Sequence, residues 1–371
     1  MITNLKEAGY DKDEVKEMIR KWGIRGTVSA VIVGVQIKNE SVNEDSKRLI
    51  IRDINNLYYE MFYKDPDPRL LDVKISYTPV KIPKTTGGYR TLHIPNPELK
   101  EVQKSLIPFL LSLGQFHNSC IGFMPGKSVY HHAYIHKDAK MILKMDIKDF
   151  FDSVTDKMFL DGIINYYHSY GMVQKMIKYF IQLYGGNKKY EVISRDMDVM
   201  LKRLAEVLFL PGGKGVPQGS PSSPIVANIC FFSIDKALYR LAKNFGAKYS
   251  RYADDMIFSF PHKDMNVLLR LKMVAQRIIY ERSLHNLVVN AKKTRIMYPE
   301  TKAIVCGVKI MPDGSFSLPR SYKKRFRAIV HNWKNKKISD SVMNGHIGYV
   351  KMVLKDKADE FLKKNGLTID G

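Results

Sequence analysis

Cysteine is scarce in this chain: three in 371 residues, Cys120, Cys230 and Cys306, widely spaced and in no CxxC pair. An odd count without ligand spacing argues against a disulfide framework or a zinc site, and it fits a reducing cytoplasm. Long apolar runs are missing as well. The most apolar stretch, residues 28–37, covers about ten residues, roughly half of what a bilayer-spanning helix needs. It also lacks the charged, apolar and cleavage-site order of a signal peptide. The expectation is a cytoplasmic protein with no membrane partner. No internal repeat or low-complexity tract is present, and 45% hydrophobic against 26% charged residues is an ordinary globular mixture, which excludes disorder over the bulk of the chain. Acidic residues are the remaining shortage. With 37 Asp and Glu against 60 Lys and Arg, the formal charge is +23, more than solubility requires, and a polyanionic partner, nucleic acid first, is the economical explanation.

What is there falls into segments of distinct pattern. Residues 11–22 read as an amphipathic helix with Val15, Met18, Ile19 and Trp22 on one face and Gly23 placed to end it. From residue 75 to 95 the pattern alternates about Thr85-Thr86-Gly87-Gly88, with Lys81, Lys84 and Arg90 beside it, the signature of a hairpin with unusual positive charge. Residues 141–147 form a short β-prone run into Asp149-Phe150-Phe151, and residues 248–260 hold two apolar arms joined at Ala253-Asp254-Asp255. Helical segments are expected over roughly 156–184, 196–208 and 225–244, with a Gly- and Pro-rich loop from Pro211 to Pro224 before the last. A turn at 310–314 leads to a basic helix over about 320–335. The expected division is a helical extension over 1–74, a central domain over 75–307, and a basic helical region over 308–371.

Carboxylates approaching from different strands can hold a pair of Mg²⁺ ions about 3.5–4 Å apart, one activating a 3′-hydroxyl and the other neutralising triphosphate oxygens. Asp146 with Asp254 or Asp255 is suited to this. An isolated Asp-Asp pair is ordinarily a solvated turn, but this one sits between apolar β arms, 249–252 and 256–260. Residues 320–337 include Arg320, Lys323, Lys324, Arg325 and Arg327 and no acidic residue, while Tyr322, Phe326, Ile329, Val330 and Trp333 recur at helical spacing. One face is expected to pack and the other to meet phosphate.

Three strings in order, Asp146-Ile147-Lys148-Asp149-Phe150-Phe151, then Val216-Pro217-Gln218-Gly219-Ser220-Pro221, then Tyr252-Ala253-Asp254-Asp255, resemble the reverse transcriptase family. The resemblance implies an α+β right hand with fingers, a palm of antiparallel sheet backed by helices, and a helical thumb. It implies RNA-directed DNA polymerase chemistry with dNTPs and two Mg²⁺ ions. Asp146 and Asp254 would bind both metals, the Ile147 carbonyl would add a ligand, and Asp255 would assist at the primer end. Lys84 and Arg90 match finger residues that hold the triphosphate, Gln218 would lie near the nascent base pair, and Lys293 resembles a lysine that assists pyrophosphate departure. Phe151 occupies the position of an aromatic ring that clashes with a 2′-hydroxyl. Phe150 would then face the core, because successive residues of an extended segment point opposite ways; if that alternation breaks, the two roles exchange.

Within the family the chain resembles bacterial retron reverse transcriptases, which copy part of a structured noncoding RNA into RNA-linked DNA. No RNase H, maturase or endonuclease domain is recognisable, His132-Ala133-Tyr134-Ile135-His136 is similar to the retron Asn-Ala-x-x-His string, and Val305-Cys306-Gly307 stands in place of Val-Thr-Gly. His132 departs from Asn and Cys306 from Thr. The implied partners are a structured RNA that serves as template and primer, its DNA product and, left open, an effector protein in antiphage defence. His132 and His136 are expected to contact that RNA or to serve the fingers structurally, and Arg320, Lys323, Lys324, Arg327 and Trp333 to grip the duplex. Three alternatives remain: another defence-associated bacterial reverse transcriptase, a catalytically silent RNA-binding scaffold, and an RNA-dependent RNA polymerase, a class that typically carries Gly-Asp-Asp.

Overall fold

The computed structural model describes residues 72–83, 87–112, 116–167 and 197–367, with positions 5, 7, 9–18, 27, 31 and 70 ahead of them. Lys84, most of the 1–74 extension, and the helix expected beyond residue 167 lie outside the described residues. Two compact units emerge, one of Met1–Phe116 with Asp149–Phe232, the other of His117–Lys148 with Ser233–Gly371.

In the first unit the charged hairpin is formed by β1 (Tyr77–Pro83) and β2 (Tyr89–Pro95), paired antiparallel from Tyr77↔Pro95 to Pro83↔Tyr89. Arg90 is exposed on β2. Asn96 accepts from the Leu99 amide at 2.8 Å and so caps α1 (Pro97–Ser112). A shared core joins α1 to α5 (Met197–Leu208) and α6 (Ser223–Cys230), and α4 (Asp156–Tyr167) to the same two helices. The Gly-rich loop is pinned at both sides. The Val216 amide donates to the Phe151 carbonyl at 2.9 Å and the His93 amide to the Gln218 carbonyl at 2.7 Å. Gly215, at φ +96°, lies so close to the backbone of Asp152 that a Cβ would sit 2.8 Å from it, so only glycine fits that crossing.

The segment after Asp149 departs from expectation. Asp149 is left-handed at φ 45°, and Phe150–Ser153 is a single helical turn, α3, rather than an extended run. The alternation argument therefore does not apply, although Phe150 is buried against Phe231 and Phe151 is half-buried. A helical turn separates neighbours by about 100°, enough to part the two rings. The helix expected over 225–244 is likewise two helices, α6 and α7 (Phe232–Asn244), hinged at Phe231.

The second unit is built on a four-stranded antiparallel sheet in the order β4-β5-β3-β6. Its members are β3 (Met141–Asp146), β4 (Lys248–Tyr252), β5 (Asp255–Phe260) and β6 (Arg295–Met297). The central strands β3 and β5 are buried nearly throughout. A three-stranded sheet follows, β7 (Ala303–Val305), β8 (Val308–Ile310) and β9 (Phe316–Ser317). Helices α2 (Val129–Ile135), α8 (Met265–Arg282), α9 (Arg320–Lys334), α10 (Asp340–Leu354) and α11 (Ala358–Lys364) complete it. Ile142, Ile257 and Met297 from the larger sheet share one apolar cluster with Val305, Val308, Phe326, Val330, Val350 and Leu362. The division expected at residue 307 falls inside the β7–β8 turn, where Val305 pairs with Val308.

Candidate active site

The carboxylates are placed by register. Asp146 ends β3 directly opposite Asp255, the first residue of β5, and cross-strand partners put their side chains on one face. Two like charges in that relation are unfavourable unless cations stand beside them, and Lys144 and Lys293 do. Asp254 lies in the two-residue connection between β4 and β5, since Tyr252 pairs with Asp255. Ala253 before it has φ 55°, a conformation that favours glycine and costs on the order of 1–3 kcal/mol in other residues.

Electrostatics agree with the geometry. Burial pushes Asp254 up to about 6, helped by the charges of Asp255 and Asp146, with its own backbone hydrogen bond and Lys293 pulling the other way. Asp146 is 4% exposed, and its Oδ1 has no hydrogen-bond donor. Lys293 approaches that oxygen to 3.2 Å as a charge partner but aligns its hydrogen bond on Oδ2 at 3.3 Å. A buried acceptor without a donor beside two further carboxylates fits a divalent cation. Among the described residues no group of three or more His, Cys, Asp or Glu side chains is placed to hold a metal ion by protein ligands alone. The Lys148 amide donates to Val288 O and the Asn290 amide to Asp146 O, bracketing the Ile147–Val289 bridge. In that pairing the Ile147 N–H and C=O point away from the 288–290 segment, leaving the carbonyl as a further oxygen donor toward the β5 side.

Lys144 was missed by sequence reasoning. It stands two residues before Asp146, on the same face of β3, and its Nζ pairs with Asp255 Oδ2. The period of two was the available signal. Cys306 sits in the β7–β8 turn with φ 44°, followed by Gly307 at φ 86°, the positive pair that a type I′ turn requires. Its thiol lies 3.6 Å from Asp255 Oδ2 and 3.3 Å from His132 Nδ1, so the two retron-like strings meet behind one carboxylate.

The histidines are corrected by burial. His132 and His136 are both 0% exposed and present nothing to an RNA. His136 shares 2.7 Å hydrogen bonds with the hydroxyls of Ser250 on β4 and Ser259 on β5. Burial pulls the His132 pKa down to about 4 and that of His136 well below its usual value, so both are neutral struts of the sheet. Trp333 is half-buried: it packs on the apolar cluster, and its Nε1–H donates to Asp340 at 2.7 Å. Arg320, Lys324 and Arg327 are exposed on α9, and Lys323 is half-buried. Phe151 and Gln218 belong to the other unit, where the Gln218 amide reaches both Asp152 carboxylate oxygens at 3.4 Å.

The comparisons with known proteins bear on the same segments. The profile described as "Reverse transcriptase (RNA-dependent DNA polymerase)" matches residues 82–333. The retron Mx65 reverse transcriptase of Myxococcus xanthus is 29% identical over 293 residues, 78% of this chain and 64% of that protein. The retron Mx162 reverse transcriptase of the same organism is 28% identical over 278 residues, 72% of this chain and 55% of that protein. The retron Ec83 reverse transcriptase of Escherichia coli is 26% identical over 293 residues, 78% and 87% of the two chains. The chain thus spans less than two thirds of the length of the two Myxococcus relatives. With a family profile covering most of the chain and the aspartates of its motifs set opposite one another on paired strands, the chain belongs to the reverse transcriptase family.

Proposed function

We propose that this chain is an RNA-directed DNA polymerase of retron type, which copies a structured noncoding RNA into single-stranded DNA joined to that RNA, in the bacterial cytoplasm and in the service of antiphage defence. The observation that carries the reading is the Asp146–Asp255 cross-strand pair with Asp254 in the adjoining turn. The family is generally dependent on divalent metal, and two Mg²⁺ ions would be held by Asp146, Asp254, Asp255 and the Ile147 carbonyl. When bound, they supply activation of the primer 3′-hydroxyl and neutralisation of the triphosphate.

The protein's own groups divide the remaining work. Lys144 holds Asp255 in one orientation through their ion pair. Lys293, half-exposed beside Asp146, is suited to neutralise charge as pyrophosphate leaves. Arg90 on the exposed hairpin, with Lys84, would bind the triphosphate. Phe151 would exclude a 2′-hydroxyl, and Gln218 would pack near the nascent base pair. Arg320, Lys323, Lys324 and Arg327 would meet the phosphates of the template-primer duplex.

A silent scaffold is disfavoured, because all three aspartates and the finger cations Lys84 and Arg90 are present. The test of the retron assignment is to purify the protein from its host at moderate salt, extract the nucleic acid, and digest it separately with RNase and DNase. One dominant RNA joined to a short DNA of defined sequence is expected. Repetitive or untemplated DNA would favour another defence-associated reverse transcriptase, and heterogeneous host RNA without DNA would contradict both.

A further inference from the structure

A fully buried ion pair lies directly behind the Asp254 turn. Arg251 on β4 is 0% exposed, and so is Asp235 on α7. The guanidinium donates in fork geometry, Nε to Asp235 Oδ1 at 2.9 Å and Nη2 to Oδ2 at 2.7 Å. Tyr249 donates its hydroxyl to the same carboxylate at 2.7 Å. Such a pair is weak evidence for stability, because desolvating two charges offsets most of their attraction, and apolar replacements are often neutral or better. Its retention calls for another reason.

The third arm of the guanidinium supplies one. Nη1 donates to the Ala253 carbonyl at 3.0 Å. That carbonyl belongs to the peptide that joins Ala253 to Asp254, so the donor fixes the peptide plane from which the Asp254 side chain departs. The position is strained, with Ala253 at φ 55°, and such conformations persist only where the surroundings over-determine them. The surroundings are present. Ser119 O accepts from the Arg251 amide at 2.8 Å, the Ile121 and Gly122 amides donate to Arg251 O at 2.8 and 3.3 Å, and a Cβ on Gly122 would sit 2.6 Å from Ala253 N. The backbone of 119–122 closes one edge of the hairpin while the Arg251 side chain closes its interior.

We propose that Arg251, held by Asp235, is a positioning residue that aims Asp254 at the divalent cation through the Ala253 carbonyl. The inference rests on the two-metal reading above. An Arg is required rather than a Lys, because the planar fork must grip a carboxylate with one edge and a carbonyl with the other, which a single ammonium cannot do.

The test uses the full chain in two forms: Arg251→Lys, which keeps a buried cation beside Asp235, and the triple change Arg251→Met, Asp235→Leu, Tyr249→Phe, which removes the ion pair and its hydroxyl partner together. Three quantities are read: thermal melting, direct Mn²⁺ binding from the free-ion electron paramagnetic resonance signal, and kcat and KM for dNTP. Both forms are expected to melt cooperatively, to bind Mn²⁺ on the order of 10- to 100-fold more weakly, and to lose a similar factor in kcat with KM for dNTP little changed, as supporting residues behind a metal site do. Folded variants with wild-type Mn²⁺ affinity and kcat would overturn the proposal, and so would failure of both variants to fold, which would make the pair a support of the fold rather than of the turn. Asp254→Asn run alongside separates the two claims. If Asp254→Asn leaves Mn²⁺ binding intact, the two-metal reading fails; if it abolishes binding and the Arg251 forms do not weaken it, only the positioning role fails.

Discussion

The aspartate-bearing end of β3 and the β4–β5 hairpin belong to the same unit as helix α9 and handle charge in the opposite way. There, strand register sets Asp146 of β3, at 4% exposure, opposite Asp255, which pairs with Lys144, and the β4–β5 turn adds Asp254. On α9, cations stand on an exposed face while Phe326 and Val330 anchor the other. Buried charge acts through position, because low dielectric makes each ångström matter. Exposed charge acts through a field that tolerates displacement and fades with salt. The same unit therefore carries a region where single atoms decide the outcome and a region where the sum of charges does.

Substitutions that sharpen this contrast differ in size. The largest effect belongs to the hairpin: Asp146→Asn or Asp254→Asn should lower dNTP incorporation on the order of 100- to 1,000-fold or more, with melting unchanged or raised because a like-charge contact is relieved. Incorporation close to wild type in both would break the contrast at its stronger end. Next comes sugar choice, where Phe151→Ala should narrow the dNTP to rNTP preference roughly 10- to 100-fold. Phe150→Ala should instead destabilise by about 3–5 kcal/mol as a core deletion. If only the Phe150 change alters sugar choice, the assignment of the two rings is reversed.

On α9, Lys324→Glu with Arg327→Glu should weaken RNA binding about tenfold at moderate salt and flatten its salt dependence by about two charges, leaving kcat intact. An unchanged salt slope would remove α9 from the interface. The smallest effect is expected at His136→Ala. Losing a buried ring that joins Ser250 to Ser259 should cost about 1–3 kcal/mol of stability, with RNA affinity per folded molecule unchanged; a specific loss of RNA binding would restore the role that burial removes.

These outcomes also mark how far the sequence could be read. The hairpin β1–β2, the strands bearing Asp146 and Asp255, and helix α9 were all legible, because apolar periodicity and turn residues are local signals. The aspartates were legible through three ordered strings. Which of their two expected roles His132 and His136 take, RNA contact or structural support, was not legible, because a histidine's surroundings depend on residues far along the chain, here Ser250, Ser259 and Cys306. Phe150 was assigned the right side for the wrong reason, since the left-handed Asp149 that starts a helical turn leaves no periodic trace in so short a segment. The Arg251–Asp235 pair was invisible for the same cause as the histidines: its partners lie on separate elements, and a lone Arg next to a motif reads as ordinary positive charge.

The central claim is that the hairpin carboxylates synthesise DNA on RNA. It is tested most directly by primer extension on a defined RNA template with Mg²⁺, dNTPs or rNTPs, the wild-type chain, and Asp254→Asn as control. The wild type is expected to make template-length DNA, to prefer dNTPs over rNTPs, and to stop when the divalent cation is chelated, while the variant makes almost none. Absence of DNA from the wild type under these conditions, or equal synthesis by the variant, would contradict the account.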